Sequence, residues 1–365
     1  MQKENTNRIK VMVVDDSAFM RKMIVDMVQE EPGLEIVAIA KNGQQALKMI
    51  PEHRPHVVTL DIEMPVLNGI ETLEQIKELS DRPNVIMLSS YTQTGSQETL
   101  RALELGAVDF VGKPSGSISL DIKKVQSELI AKIKAAYQAT TKVTFDQKKG
   151  NPFNSNREIS QNIKQKLTNT QKNKLIVIGA STGGPRALHE VIPKIPQNFP
   201  GSILVVQHMP KGFTKLLSER LNTMSSMTVK EAENNDPIVP GKVYIAPGDY
   251  HLMVSKSSGI QGEDKWRVKV DQGPPVKGLR PCADILFESA SMIEDMDLVG
   301  VVLTGMGSDG AKGIKRLKRA GAHIIAEDES TCVVFGMPKA AINTGLVDKI
   351  LPLPAIAPEI LNVIT

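Results

Sequence analysis

The chain has 365 residues, 41% hydrophobic and 23% charged, with a formal net charge of +3. That length can build two domains with proper cores, the balance is ordinary for soluble globular protein, and the charge is too small to imply nucleic acid by itself. The N-terminus "MQKENTNRIKVMVVDD" has no apolar secretory core, and no apolar run approaches the ~18 residues of a membrane span, so a cytoplasmic protein without membrane insertion is expected. The only cysteines, Cys282 and Cys332, form no metal pattern and are expected as free thiols.

Strands are predicted at Lys10–Val14, Leu34–Ala40, Val57–Leu60, Asn84–Leu88 and Val108–Val111, with helical patterns between them. The first helix is the clearest. Ser17 can cap it, Met20, Met23, Ile24, Met27 and Val28 repeat at helical spacing, and Pro32-Gly33 stops it. Short apolar strands alternating with helices predict a parallel sheet covered on both faces, ending near Gln138.

From about Ala139 the pattern fails. The stretch is rich in Asn, Gln, Lys and Ser and too poor in apolar residues to repay ordering, which predicts a flexible linker over 139–173. A short helix fits near Ile159–Leu167, and the basic excess reads as a solvated tether rather than a nucleic-acid arm.

The second block has predicted strands at Leu175–Gly179, Ser202–Gln207, Thr228–Glu231, Lys242–Ala246, Leu252–Val254, Trp266–Val270, Leu298–Leu303 and His323–Ala326. Helices are predicted after Pro185, near Thr214–Leu221, and at Ala283–Ile293 and Ala311–Ala320. This is a second α/β domain with a β-rich middle, and no internal repeat is visible.

In the first block Asp15 and Asp16 follow the first strand and Asp61 the third. Ser89 ends the fourth strand, and Lys113 with Pro114 follows the fifth. In a parallel open sheet all strand carboxyl ends share one edge, where ligands gather. Three crowded carboxylates repel one another unless a cation sits among them, and oxygen ligands suit Mg²⁺. Lys113 adds a point charge for a phosphoryl oxygen. One such Asp would be an ordinary polar turn residue; four different strand ends carrying this set are hard to obtain by chance.

"VMVVDDSAFMRKMI", "VVTLDIEMPVLNGIETL", "VIMLSS" and "GAVDFVGKP" resemble response-regulator receiver domains. The resemblance implies a flavodoxin-like five-stranded parallel sheet in 2-1-3-4-5 order. It implies Asp61 as phosphoacceptor, Mg²⁺ held by Asp15, Asp16, Asp61 and the Glu63 carbonyl, and a switch formed by Ser89, Phe110 and Lys113.

The second block opens on "LIVIGASTGGPRALHEVI". A dinucleotide fingerprint needs glycine where Ser181 stands, and the next strand should end in Asp or Glu, whereas it ends "VVQHMP". Gly179-x-Ser181-x-Gly183 between strand and helix instead fits a serine presented on a sharp turn.

Of six histidines, His53 and His56 belong to the first block. His189 lies ~12 Å along the helix from Ser181 by helical rise. His251 and His323 begin strands and face the opposite edge if those strands run parallel to the first. His208 ends a strand on the serine edge and is the expected base. For the acid, Asp309 in "VVLTGMGSDGAKGI" lies on that edge, and its rival Asp284 begins a helix, where its charge suits the dipole. Asp309 would orient His208, which takes the Ser181 proton. The chain order Ser, His, acid excludes the α/β-hydrolases, whose order is Ser, acid, His.

"GASTGGP", "VVQHMP", "YIAPGDYHL", "RPCADILFESA" and "LTGMGSDGA" together resemble the chemotaxis response-regulator protein-glutamate methylesterases, the CheB family. The resemblance covers nearly the whole chain outside the linker: a receiver at 1–138, a linker at 139–173 and a doubly wound esterase domain with a β-rich insertion at 174–365. It implies Ser181 as nucleophile, His208 as base and Asp309 as orienting acid, with Thr182 supporting the site and the Met306 N–H in the oxyanion hole. It implies glutamate methyl esters on methyl-accepting chemotaxis receptors as substrates, deamidation of receptor glutamines, a chemotaxis histidine kinase as phosphodonor, and no cofactor for ester hydrolysis. Cys282 stands in "RPCAD" where serine is expected, and the linker is long for the family.

Two rivals remain. A transcription factor would need a small helix-turn-helix output, which eight strands do not offer. A non-catalytic binding output would not need Ser181, His208 and Asp309 together.

Overall fold

A computed structural model describes residues 8–90, 92–113, 119–140, 173–257 and 266–363. The chain divides into two compact units, Met1–Val143 and Thr144–Thr365.

The first unit alternates β1 (Ile9–Val14), α1 (Ala18–Gln29), β2 (Leu34–Ala40), α2 (Gly43–His53), β3 (Val57–Asp61), α3 (Gly69–Lys77), β4 (Asn84–Ser89), α4 (Gln93–Leu105), β5 (Asp109–Gly112) and α5 (Ser119–Thr140). The sheet order is β2-β1-β3-β4-β5, and every pairing is parallel. This is the flavodoxin-like order the sequence resemblance implied. β3 is buried along its whole length, as a strand covered on both faces must be. Helix starts rest on side chains that satisfy otherwise orphaned N–H groups: Ser17 Oγ accepts from Met20 at 3.4 Å, and Asn68 and Glu71 form a reciprocal capping box on α3. Gly43 lets α2 approach α3, because a Cβ there would lie 1.7 Å from Thr72 Oγ1.

The second unit runs β6 (Lys174–Ala180), α6 (Gly184–Val191), β7 (Gly201–Gln207), α7 (Phe213–Met224), β8 (Thr228–Glu231), β9 (Lys242–Ile245), β10 (His251–Lys256), β11 (Trp266–Asp271), α8 (Ala283–Ala290), β12 (Asp297–Val302), α9 (Ala311–Arg319), β13 (His323–Glu327), α10 (Met337–Ile342), β14 (Lys349–Leu351) and α11 (Leu353–Asn362). Seven strands form one parallel sheet in the order β14-β13-β12-β6-β7-β9-β8. The β-rich middle resolves into β8 and β9 at one sheet edge and a separate antiparallel pair, β10 with β11. The chain leaves β6 toward β7 on one side and later returns to β12 on the other. β6 is therefore the switch point, where an open α/β sheet binds its ligands.

All the expected strands are present, with ends within two residues. Three elements near the C-terminus, α10, β14 and α11, are additional to those expected. β14 is only three residues long and largely exposed, so it lacks the apolar run that marks the others. Helix α5 continues to Thr140, two residues past the expected end of the first block. Most of the expected linker, from 141 to 172, and the short helix near Ile159–Leu167 lie outside the described residues.

Candidate functional site

The carboxyl edge of the first sheet gathers the predicted acidic residues. Asp15, Asp16 and Asp61 each place a carboxylate oxygen within 4.8 Å of the others. Lys113 Nζ bridges two of them, 2.7 Å from Asp61 Oδ1 and 3.0 Å from Asp15 Oδ2. Asp61 Oδ2 is buried without a hydrogen-bond partner. Burial pushes the Asp61 carboxyl up to about 6; Lys113 pulls against that shift, and the neighbouring Asp15 charge adds to it. An orphaned oxygen in a cluster of two buried carboxylates and one exposed one, Asp16, fits a hard divalent cation, which would supply the missing positive charge.

The other predicted receiver residues are placed more specifically than sequence allowed. Glu63 reaches Asp61 Oδ1 through its own N–H, at 3.4 Å. The Ser89 hydroxyl is buried and faces the first two turns of α4, where it accepts from Thr99 Oγ1 at 2.6 Å and lies 3.3 Å from the Gly95 carbonyl. Phe110 is already buried in this structure, with Lys132 Nζ 5.1 Å from its ring centre. The Phe110 member of the implied switch is therefore in an inward position here.

In the second sheet β12, β6 and β7 are neighbours, so Asp309, Ser181 and His208 lie on three adjacent loops of one edge. Backbone bonds tie these loops together: the Ser181 N–H donates to Thr304 O at 3.1 Å and the His208 N–H to Ala180 O at 3.1 Å. The turn after Ser181 depends on glycine. Gly183 has φ +79°, and a Cβ on Gly184 would lie 1.9 Å from Gln207 Oε1. Gly305 is equally constrained, since a Cβ there would lie 2.7 Å from Ser181 Cβ.

His208 Nε2 lies 2.8 Å from Asp309 Oδ2. Asp309 also accepts from the N–H groups of Ala283 at 2.6 Å, Asp284 at 2.9 Å and Gly310 at 2.9 Å. Burial alone would raise its pKa. The His208 contact, the Cys282 thiol and the Ala283 N–H outweigh burial and hold it far below the ordinary carboxylate range. Asp309 is therefore an anion, and an anionic acceptor makes His208 Nε2 the protonated nitrogen and Nδ1 the basic one. No hydrogen bond joins Ser181 Oγ to His208 among the described residues; hydrogen bonds of this kind often tighten only with substrate bound.

The rivals have other partners, although Asp284 keeps a carboxylate oxygen within 4.8 Å of Asp309. Asp284 Oδ1 accepts from the Gly313 N–H at 2.7 Å. His323 begins β13 at the opposite edge beside Asp348 and Glu359. His251 begins β10, which lies in the antiparallel pair, so the parallel-strand argument does not apply to it; its Nε2 is 3.1 Å from Pro274 O. Thr182 is buried, and its carbonyl accepts from Thr304 Oγ1 at 3.0 Å. The Met306 N–H donates to no protein acceptor among the described residues.

A family model described as CheB methylesterase matches residues 176–360, and one described as Response regulator receiver domain matches residues 11–123. The chain belongs to the CheB methylesterase family. A protein of Syntrophomonas wolfei named protein-glutamate methylesterase/protein-glutamine glutaminase 1 is 51% identical, over 98% of this chain and 99% of its own. Proteins named protein-glutamate methylesterase/protein-glutamine glutaminase in Symbiobacterium thermophilum and Geobacillus kaustophilus are each 46% identical, over 96% and 98% of this chain and 96% and 99% of their own.

Within this CheB chain Cys282, found where serine was expected, does what a hydroxyl would do. Its Sγ–H donates to Asp309 Oδ1 at 3.0 Å. Burial, reinforced by the Asp309 charge, pushes the thiol up to about 12, so it stays a donor. Sequence reasoning missed three polar residues that build the site. Gln207 Nε2 donates to the carbonyls of Ser181, at 2.9 Å, and His208, at 3.3 Å. The Thr304 N–H donates to Glu327 Oε2 at 2.8 Å, and burial pushes that carboxyl up to about 7. A signal existed for each, since all three are polar residues closing or following apolar strands on the serine edge.

Proposed function

We propose that the chain is a phosphorylation-activated protein-glutamate methylesterase and protein-glutamine glutaminase that acts in the cytoplasm on chemoreceptors during bacterial chemotaxis. The observation that carries the hydrolytic reading is the 2.8 Å bond between His208 Nε2 and an ionised Asp309, on the edge that presents Ser181.

The reaction then follows from the residues. His208 Nδ1 takes the Ser181 proton as Oγ bonds to the ester carbonyl carbon. The carbonyl becomes an oxyanion facing the unpaired Met306 N–H, supported by the Thr182 side of the turn. The tetrahedral intermediate collapses, methoxide leaves as methanol with the proton from His208, and an acyl-serine remains. A water activated by His208 hydrolyses it and returns Ser181. A glutamine side chain passes through the same oxyanion and releases ammonia. This chemistry uses no metal or cofactor.

The receiver reading assigns Asp61 as the phosphoacceptor, with a histidine kinase as donor. Asp15, Asp16 and Asp61 would hold Mg²⁺, joined by the Glu63 carbonyl; bound there, the cation neutralises charge on the phosphoryl oxygens. Lys113 holds the Asp61 side chain and offers its own charge, and Ser89 would leave Gly95 and Thr99 to meet the phosphoryl group. We assign the receiver to 1–140, the linker to 141–173 and the esterase to 174–365. Methanol release from methylated receptor, with S181A as control, tests the reading. Full release by S181A would overturn the nucleophile assignment.

A further inference from the structure

Glu327 is fully buried at the carboxyl edge of the sheet, yet no step of the reaction above uses it. It closes β13, whose residue Ala326 pairs with Val302 of β12. Both carboxylate oxygens are occupied: Oε2 accepts the Thr304 N–H at 2.8 Å, and Oε1 accepts from Thr331 Oγ1 at 3.0 Å. Thr304 links this carboxylate to the nucleophile turn. Its N–H points to Glu327 on one side of β12, while its carbonyl accepts the Ser181 N–H on the other side at 3.1 Å. Its hydroxyl donates to Thr182 O at 3.0 Å and accepts the Val334 N–H at 2.9 Å. Two residues further on stands Met306.

We infer that Glu327 is a positioning residue of the esterase: by accepting the Thr304 N–H it fixes the residue whose carbonyl holds the Ser181 N–H and which leads into the Met306 oxyanion donor. The inference rests on the esterase reading above. Its physical basis is a buried residue whose N–H, carbonyl and hydroxyl each bond to a different part of the site. Fixing the N–H of Thr304 fixes the tilt of the residue, and so the direction of the carbonyl that receives Ser181. Without an acceptor the buried N–H would be unsatisfied, and the residue would turn to find one, carrying the Ser181 bond with it. The role requires an acceptor atom rather than a negative charge. A glutamine can place its carbonyl oxygen at Thr304 and its amide at Thr331, whose hydroxyl can accept instead.

The test compares wild type, E327Q, E327M and S181A as full-length proteins. Methionine fills the volume and offers no comparable acceptor. We expect E327M to lower kcat at least tenfold with KM within twofold of wild type, and E327Q to restore kcat to within about threefold. Amide hydrogen exchange at Ser181 and Thr304 should be at least tenfold faster in E327M and unchanged in E327Q. That exchange is read whether or not the protein is an esterase, so it separates this inference from the activity: an inactive wild type would sink the esterase reading alone. A folded E327M with wild-type kcat and exchange overturns the inference. So does an E327Q as slow as E327M, since charge rather than hydrogen-bond acceptance would then be responsible. An E327M that cannot fold also overturns it, by making Glu327 a folding residue.

Discussion

The two units solve one geometric problem with opposite chemistry. Each gathers functional side chains at the carboxyl edge of a parallel sheet, and each buries an aspartate there. Asp61 has one ion-paired oxygen and one orphaned oxygen, and burial drives its carboxyl up to about 6. Asp309 is also buried, but four donors from Cys282, Ala283, Asp284 and Gly310 converge on it together with His208, and it is held well below the usual range. Burial is common to both; the supply of donors differs. An under-supplied carboxylate is suited to acquire a cation and a phosphoryl group. An over-supplied one is suited to remain an anion and hold an imidazole in one tautomer.

The largest expected effects would break the comparison by deleting the reacting atom at either edge. S181A should reduce methanol release at least ~10³-fold, toward background. A small phosphodonor with Mg²⁺ should still label it. D61N should show the reverse pattern: no labelling, and an unphosphorylated rate equal to wild type that phosphodonor cannot raise. Labelling of D61N at the wild-type level would place the acceptor elsewhere. The next effect tests the over-supplied acid. D309N keeps the shape but replaces an anion by an amide that can donate to His208 and stabilise the wrong tautomer, so kcat should fall by ~10²–10⁴-fold. A loss below tenfold would mean that His208 does not depend on the Asp309 charge.

Much of both edges is legible in the amino-acid sequence. Asp15, Asp61, Ser89 and Lys113 each close or follow an apolar strand, and strand ends of a parallel sheet must converge. The same logic finds Ser181, His208 and Asp309. What sequence cannot supply is direction. Nothing in "VIMLSS" says that the Ser89 hydroxyl faces Gly95 and Thr99, since that depends on how α4 packs. Nothing in "RPCAD" says that Cys282 meets an aspartate 27 positions later. The condition set on His251, a strand parallel to the first, is not met, because β10 pairs antiparallel with β11 outside the main sheet. Glu327 is easily passed over because its sequence neighbours suggest an exposed turn, whereas β14 and the Thr331 loop bury it.

Glu327 also sharpens the comparison, because it is a third buried carboxylate, with both oxygens paired but only by the neutral donors Thr304 N–H and Thr331 Oγ1. Its folded pKa, about 7, lies above the ordinary 4.5. Between those values the folded state binds more protons than the unfolded one, so stability should fall as pH rises through that window. Across it the change is about 3 kcal/mol at most, and it should be absent in E327Q. Denaturant unfolding of both proteins at pH 5 and pH 8 checks this. Equal slopes with pH would show that Glu327 is ionised without cost.

The smallest expected effect concerns Cys282. Its thiol is one of four donors that supplement His208 on Asp309, and the three backbone N–H groups survive any substitution at this position. C282A removes one hydrogen bond to a charged acceptor, a loss of ~1.5–3 kcal/mol in a sparsely supplied site. Here the remaining donors keep Asp309 ionised, so kcat should fall only a few-fold. C282S restores a donor with a shorter reach and should return to wild type. The two variants therefore measure how far the acid is over-supplied. A C282A as slow as D309N would show that the thiol alone keeps Asp309 in place, and the contrast with Asp61 would then rest on one sulfur rather than on a set of backbone donors.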